Sequence, residues 1–220
     1  MWFHKHPYPP HILETASRLI VGTLPPPRFS TGELNDQDVD FCYGSSNGML
    51  WKIWDRLYDL QLVFENTYFA IEQRKAFLKR ERFGICDIVE GAYRKKIDAS
   101  DIGMQDVKLR DILLILKQHP KVDTLIFMGG NSKNGPEYFF RKIIKNANIP
   151  LNCLDNDVPR VHQFSWAGRN IKTYTLTTPS GTANRAIGSM IAYKKAKQRN
   201  PNYNTLDFRV EQYGTIFLTS

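Results

Sequence analysis

An apolar run, Thr124-Leu125-Ile126-Phe127-Met128-Gly129-Gly130-Asn131, lies just past the middle of the chain and stops at two glycines. A shorter run of the same kind, Arg18-Leu19-Ile20-Val21-Gly22, is followed closely by Pro25-Pro26-Pro27. Runs that are apolar at nearly every position are typical of parallel strands buried on both faces of a sheet. The two runs therefore predict buried parallel strands that end in loops rich in glycine and proline.

Helical patterns of apolar residues alternate with these strands. The spacing predicts helices over residues 49–58, 72–82, 106–118, 136–146 and 185–199. In the third of these helices, Leu113, Leu114 and Leu116 are expected to face the sheet. Residues 161–165 and 171–177 are predicted to form a hairpin.

Strands that alternate with helices indicate the α/β class. We predict one domain over residues 18–220 with a mainly parallel central sheet flanked by helices, because one domain is the default at this length. Residues 1–17 are rich in proline and histidine and are predicted to form an extended arm laid over that domain.

Composition excludes several other classes of protein. Hydrophobic residues make up 42% of the chain and aromatic residues 12%, whereas disordered chains contain few aromatic residues. No segment approaches the roughly 18 consecutive apolar residues of a membrane span. Residues 1–7 lack the apolar core of a signal peptide, so a cytoplasmic protein is expected. A monomer is also expected.

Cys42, Cys86 and Cys153 are widely separated and fit reduced buried thiols rather than an iron–sulfur or zinc site. The five histidines are scattered, so no metal and no cofactor are expected.

The positive charge is concentrated in one part of the sequence. The chain has 30 Lys and Arg against 22 Asp and Glu, which is a net charge of +8. Residues 158–206, the acid-free stretch, contain eight basic residues and no acidic one, so the other 171 residues hold 22 of each sign. An acid-free segment of this length favours an anionic partner, and DNA is the partner that we expect.

Three loops follow the predicted strands, over residues 22–28, 129–135 and 178–184. Loops at the carboxyl ends of parallel strands gather at one edge of the sheet, where ligands bind. A glycine-rich loop over residues 43–48 also precedes a predicted helix, and the N-termini of helices accept phosphate groups. We therefore expect these loops to form one site.

Several motifs resemble those of the uracil-DNA glycosylase superfamily. Residues 19–25, Leu-Ile-Val-Gly-Thr-Leu-Pro, resemble its first motif in the Gly-Thr/Ser-x-Pro form of the hypoxanthine-DNA glycosylase-like branch. Residues 43–51, Tyr-Gly-Ser-Ser-Asn-Gly-Met-Leu-Trp, resemble the block that follows, and residues 84–89 and 126–131 resemble the next two segments. Residues 178–185 are similar to the Pro-Ser-rich loop that enters the minor groove. The resemblance implies a three-layer α/β/α fold, DNA as the partner and hydrolysis of an N-glycosidic bond.

The chain departs from that superfamily in two motifs. Classical members of that superfamily carry an Asp or Asn that positions the attacking water. This chain has Leu24 at the corresponding place. Ser45 and Ser46 replace the His-Pro of the second block, and Asn47 lies one residue further from Trp51 than in the branch. These differences indicate a pocket shaped for a different base.

The candidate catalytic residues are Asp87 and Asn47. Asp87 is expected to orient the water or to stabilise the positively charged sugar, and Asn47 to orient the water or to read the base edge. Tyr43 or Trp51 is a candidate for stacking on the flipped base. The predicted base pocket consists of Gly22, Thr23, Leu24, Pro25, Tyr43, Ser45, Ser46 and the base-edge reader Asn131. The predicted DNA contacts are Thr178, Ser180, Gly181, Thr182, Asn184, Arg185, Lys194 and Lys195.

These residues also have structural interpretations. Instead of forming part of a base pocket, residues 22–25 can simply form a turn that ends a strand. Asp87 can be an N-cap or turn residue instead of a catalytic one. Asn47 is of a type that favours turns, and Tyr43 and Trp51 are of types that more often pack in cores.

The leading hypothesis is a monofunctional DNA glycosylase that flips a damaged, deaminated or modified base out of DNA and leaves an abasic site. One alternative is excision of a hypermodified cytosine, such as glucosylated hydroxymethylcytosine, from bacteriophage DNA as antiviral defence. Another is a catalytically inactive DNA-binding module, which Leu24 favours, and a third is an enzyme that acts on small nucleotides. No lysine lies in a recognisable apolar pocket, so no lyase step through a Schiff base is expected.

Overall fold

The computed structural model describes residues 1–218, so the last two residues of the predicted 18–220 domain lie outside the described residues. Within that range the strands are β1 (Trp2–Lys5), β2 (Arg18–Val21), β3 (Phe83–Ile85), β4 (Val89–Arg94), β5 (Gln105–Leu109), β6 (Thr124–Phe127), β7 (Asn152–Asp155), β8 (Arg160–Trp166) and β9 (Arg169–Thr175). The helices are α1 (Pro27–Thr31), α2 (Leu50–Tyr58), α3 (Tyr68–Arg80), α4 (Ile112–Gln118), α5 (Pro136–Asn146), α6 (Asn184–Ser189), α7 (Ile191–Arg199) and α8 (Thr205–Phe217).

The main sheet has six strands in the order β3-β2-β6-β9-β8-β7. The pairs β3–β2, β2–β6 and β6–β9 are parallel, whereas β9–β8 and β8–β7 are antiparallel. The predicted α/β class is confirmed, with the correction that the sheet is mixed. Its edge is antiparallel because β8 returns directly to β9 through the short turn at Ala167 and Gly168.

A second, three-stranded antiparallel sheet has the order β1-β4-β5 and was missed by the sequence prediction. The first strand of this sheet comes from the N-terminal arm, where Trp2 pairs with Arg94 and Lys5 with Gly91. The next residue, His6, donates its backbone N–H to the carbonyl oxygen of Glu90. The arm is thereby attached along β4 and leads directly to the end of β3.

Two hydrophobic cores cover the two faces of the main sheet. Because successive side chains of a strand point to opposite faces, Leu19 and Val21 pack in the core beneath α4 and α5, while Ile20 packs in the other. The second core is rich in aromatic rings from α2, α3 and α8, and Trp54 at its centre is fully buried. This arrangement explains why the parallel strands read as continuous apolar runs.

Three predicted helices have different bounds in the structure. Residues 105–109 form β5 rather than the first turns of a helix, and α4 begins after Asp111, whose side chain accepts the backbone N–H of Leu114. The predicted helix over 185–199 is divided into α6 and α7 by Met190, which has extended backbone angles. The helix predicted over residues 72–82 begins earlier, at Tyr68, because Thr67 caps its N-terminus.

Two burial predictions were also wrong, and one helix was overlooked. Leu114 is 48% exposed because it lies on the outer side of α4, and Cys153 is exposed on the edge strand β7. The overlooked helix, α8, begins at a capping box formed by Asn204 and Asp207. No helix within residues 1–218 has the length and apolar character needed to cross a membrane.

The core assignment can be tested on two leucines. Replacing Leu125 with Ala removes a fully buried side chain from β6, and we expect this to lower the free energy of unfolding by about 2–5 kcal/mol. Leu114→Ala is the matched control, because this leucine is 48% exposed, and its effect should stay within about 0.5 kcal/mol. Urea unfolding followed by tryptophan fluorescence measures both, and equal losses would contradict the assigned faces of α4 and β6.

Candidate active site at the carboxyl edge of the sheet

The candidate site lies where the four parallel strands end. Because β3, β2, β6 and β9 run in the same direction, the segments that follow them emerge side by side. The loops over 129–135 and 178–184 approach closely, since a Cβ added at Gly129 would lie 3.0 Å from Thr178 Oγ1. The loop over 43–48 joins them through a hydrogen bond of 2.9 Å from the Met49 N–H to the Pro179 carbonyl oxygen.

Asp87 is buried at the centre of this edge and accepts three hydrogen bonds. Its Oδ1 accepts the backbone N–H of Gly22 at 2.9 Å and the hydroxyl of Tyr43 at 2.9 Å. Its Oδ2 accepts a hydrogen bond from His6 Nε2 at 3.0 Å. Each donor comes from a different segment of the chain, so the carboxyl group of Asp87 connects three segments.

The hydrogen bonds of His6 define its tautomer. Its Nδ1 accepts the backbone N–H of Tyr8 at 3.1 Å. A ring nitrogen that accepts a hydrogen bond carries no proton, so in the neutral ring the proton is on Nε2, which donates to Asp87. His6 therefore acts toward Asp87 as a fixed donor rather than as an acceptor.

Tyr43 covers Asp87 and is held in an uncommon conformation. Its φ of 58° lies in the left-handed region, which costs a residue other than glycine about 1–2 kcal/mol. Burial, with the neighbouring charge of Asp87, raises the pKa of the Tyr43 hydroxyl well above its usual value, so the hydroxyl stays protonated and donates. Such strain is found most often at functional sites.

A buried ion pair fixes the glycine-rich loop that contains Tyr43. Arg28 donates to both carboxyl oxygens of Asp38, at 2.6 and 2.8 Å. Ser46 adds its backbone N–H to Asp38, and Ser45 Oγ accepts a third hydrogen bond from Arg28. Burial alone would raise the pKa of Asp38, but these donors outweigh it and hold the pKa well below its usual value. Ser45 and Ser46 thus anchor the loop.

Asp101 is a second carboxyl group beside the first motif, and it was not predicted. Thr23 Oγ1 donates to Asp101 Oδ1 at 2.8 Å. The backbone carbonyl of Asp101 accepts Asn134 Nδ2 at 2.9 Å, which ties it to the loop after β6. Burial raises the pKa of Asp101 to about 6, although the hydrogen bond from Thr23 opposes the shift.

A buried arginine from α8 holds the loop over 178–184. All four hydrogen bonds that the Arg209 guanidinium makes within residues 1–218 go to neutral oxygens. Three of these oxygens belong to Thr178, Ser180 and Asn184. The fully buried guanidinium therefore fixes the shape of this loop and contributes a positive charge beneath it.

The basic residues of the acid-free stretch lie at two ends of the sheet rather than together. Arg185, Lys194 and Lys195 are exposed on α6 and α7, next to the loop over 178–184. Arg169 and Lys172, in contrast, lie in the first half of β9 at the opposite edge. Arg169 donates there to backbone carbonyl groups at the end of α4 and just beyond it.

The remaining predicted site residues have different surroundings. Asn47 and Asn131 are exposed, and neither contacts Asp87. Leu24 packs against the first core rather than toward Asp87. Trp51 is 2% exposed and donates its ring N–H to the Cys42 carbonyl oxygen, so the prediction that it could stack on a base was wrong. The loop over 22–28 contains Pro25, and the loop over 178–184 contains Gly181 and Thr182. The hydroxyl of Thr182 lies 2.6 Å from the hydroxyl of Ser180.

Three residues of this edge were missed for different reasons. His6 precedes Asp87 by 81 positions, and no local sequence pattern indicates that the two side chains are in contact. Asp101 begins a single 3-10 turn over Asp101–Gly103, and no local pattern distinguishes it from the other aspartates nearby. Arg209 could have been found, because Asn204 and Asp207 have the spacing of a capping box and indicate the helix that carries it.

Comparison with known proteins supports the fold. Neither a protein-family model nor a curated protein sequence matches the chain. The structure is similar to the solution NMR structure of a protein from Methanosarcina acetivorans described as a "putative Uracil DNA glycosylase". The TM-score is 0.57 and the identity 15%, with 98% of this chain and 97% of that chain covered. The chain therefore shares the overall α/β fold of that protein.

This edge can support acid–base or electrostatic chemistry by carboxyl groups. Asp87 and Asp101 lie on either side of the Gly22–Thr23 dipeptide, since each accepts a hydrogen bond from one of its two residues. Within residues 1–218, no group of three or more His, Cys, Asp or Glu side chains is arranged to hold a metal ion.

Gly22 allows Tyr43 and Asp87 to meet, and this can be tested. A Cβ at position 22 would lie 2.1 Å from Tyr43 Oη and 2.7 Å from Asp87 Oδ1. We expect Gly22→Ala to cost about 1–3 kcal/mol of stability through overpacking. In a Tyr43→Phe background the same substitution should cost less, because the closest clashing atom is gone. A double-mutant cycle by urea unfolding measures the difference, and an equal cost in both backgrounds would argue against this contact.

Proposed function

We propose that this chain is a monofunctional DNA glycosylase that hydrolyses the N-glycosidic bond of a nucleotide flipped out of DNA. The observation that carries the proposal is the buried carboxyl group of Asp87, held by three donors at the edge where the four parallel strands end. The likeness of the fold to that of a protein described as a uracil DNA glycosylase supports the same activity.

The chemistry requires a negative charge next to the sugar. Cleavage of an N-glycosidic bond develops positive charge on the sugar, and a fixed carboxylate stabilises that charge. A carboxylate has about four acceptor positions, whereas three donors contact Asp87 within residues 1–218. The remaining position on Oδ2 is suited to a water molecule, which Asp87 would orient toward the sugar.

The DNA-binding surface proposed here consists of the loop over 178–184 with α6 and α7. Arg209 holds this loop in a fixed shape. A loop that enters DNA in place of a flipped base needs such support. Arg185, Lys194 and Lys195 provide exposed charge for phosphate groups beside it.

The proposed substrate is a damaged, deaminated or modified base rather than uracil alone. Ser45 and Ser46 stand where the hypoxanthine-DNA glycosylase-like branch carries His-Pro, and both serve here to anchor the loop. Small side chains at this place leave room for a larger base, and a hypermodified cytosine from bacteriophage DNA is included for this reason.

Base release is tested on a panel of duplexes. Oligonucleotides that contain uracil, hypoxanthine or glucosylated hydroxymethylcytosine are incubated with the protein and then cleaved with alkali at abasic sites. We expect cleavage of at least one duplex, and a loss of about a hundredfold or more in single-turnover rate for Asp87→Asn. DNA affinity, measured by fluorescence anisotropy, should be kept.

Asp123→Asn is the matched control, because Asp123 is exposed at the opposite end of the sheet, where its carboxyl contacts only Thr124 within the described residues. This variant should keep the wild-type rate. Strand cleavage without alkali, or a complex trapped by borohydride, would contradict the monofunctional mechanism.

The DNA-binding surface is tested by its dependence on salt. Changing Arg185, Lys194 and Lys195 to Gln should weaken binding and lower the slope of log affinity against log salt by about one for each lost phosphate contact. The matched control changes Lys117, Lys121 and Lys172, three exposed lysines at or near the amino-terminal edge of the sheet, to Gln. An equal change of slope in both triple variants would argue against a localised surface.

A catalytically inactive DNA-binding module is the second candidate. The observation that favours it is Leu24, which packs against the first core. Classical uracil-DNA glycosylases carry the residue that positions water at the corresponding place. DNA binding without base release from any duplex of the panel would support this candidate over the enzyme.

A further inference from the structure

Asp101 differs from Asp87 in its surroundings although both contact the same dipeptide. Gly22 donates to Asp87 through its backbone and Thr23 donates to Asp101 through its hydroxyl. Asp87 is 6% exposed and has three donors. Asp101 is half-buried, and within residues 1–218 its carboxyl group accepts one hydrogen bond, that from Thr23. Asp101 therefore has fewer hydrogen-bond donors than Asp87.

The segment that carries Asp101 is held in place from two sides. Asn134, in the loop after β6, donates its Nδ2 to the Asp101 carbonyl at 2.9 Å and to the Met104 carbonyl at 3.1 Å. Arg94 of β4 donates to the Ser100 carbonyl at 2.6 Å. The carboxyl group is thus presented at the edge of the sheet by a fixed backbone.

The charged groups around Asp101 come from three elements. Arg94 approaches from β4 and favours the ionised form, whereas the charge of Asp87, between β3 and β4, disfavours it. Asp98, on the segment that contains Asp101, faces Arg94, with 3.5 Å between Oδ1 and Nη1. Burial is the largest influence and raises the pKa of Asp101 to about 6, so an appreciable fraction is protonated near neutral pH.

We infer that Asp101 is the general acid of the reaction, which donates a proton to the departing base while Asp87 lies beside the sugar. This inference rests on the proposed glycosylase function. The bond between the sugar C1′ and the base nitrogen breaks, and its electron pair leaves with the base. The carboxyl proton of Asp101 passes to the base, and water adds its hydroxyl group to C1′. The second proton of the water restores Asp101 through the solvent, so the sum is hydrolysis. Two neighbouring carboxyl groups in different environments can take separate roles in one reaction.

The pH dependence of base release tests this role. Protonated Asp101 is the active form, so the single-turnover rate of the wild type should fall as the pH rises above about 6. Asp101→Asn should remove this fall and lower the rate for uracil at pH 6 by about a hundredfold. The loss should be smaller for 5-fluorouracil, which leaves more easily and needs a proton less. A purely structural role would slow both substrates equally.

Two further variants keep the test decisive. Thr23→Val removes the hydrogen bond that opposes the rise in the pKa of Asp101, so it should move the midpoint of the pH profile upward. Asp106→Asn changes an exposed carboxyl on the neighbouring strand β5 and should leave the profile unchanged. Asp101→Asn should raise the melting temperature at pH 7.5, because it removes a charge that burial disfavours, and this also checks that the variant is folded.

The possible results separate the inference from the proposed function. Wild-type protein that releases no base from any duplex would overturn both. Wild-type activity combined with an Asp101→Asn variant that keeps the pH profile, or loses equal rates on uracil and 5-fluorouracil, would overturn the role of Asp101 alone. A carboxyl titration of Asp101 by NMR near pH 4 instead of about 6 would overturn it as well.

Discussion

The structure of the candidate site depends on the hydrogen bonds made by one carboxyl group. Asp87 connects the N-terminal arm through His6, the end of β2 through Gly22 and the glycine-rich loop through Tyr43. A buried carboxylate is stable only when several donors replace its hydration. The segments must therefore come together around Asp87, and the same requirement fixes the tautomer of His6 and the positive φ of Tyr43.

Charged side chains from outside the loops perform a similar role at two other places. Arg28 and Asp38 hold the glycine-rich loop, and Arg209 holds the loop over 178–184. In each case a guanidinium group donates to several oxygens at once. Arg28 donates to side-chain oxygens of Asp38 and Ser45, whereas Arg209 donates to backbone carbonyl groups of the loop over 178–184. The loops around Asp87 are thus held by side-chain hydrogen bonds as well as by the backbone.

The sequence predicted the elements with strong local patterns and missed those that depend on distant partners. The strands at 18–22 and 124–131 and the helix at 136–146 were identified because an apolar run or period is a local property. β1, in contrast, is a strand only because β4 lies beside it, and no pattern within Trp2–Lys5 reveals this. The charge of the acid-free stretch was counted correctly, yet its hairpin carries Arg169 and Lys172 to the far edge of the sheet.

By itself the sequence determined the α/β class, the apolar strands and the three loops that end them, since these follow from local periodicity and from glycine and proline. It also identified Asp87 and the first motif as candidates. Only the tertiary structure decided that His6 and Asp101 join them and that Asn47 and Asn131 do not. A carboxyl group acquires its chemistry from donors and charges a few ångströms away, and folding brings these together from positions far apart in the chain.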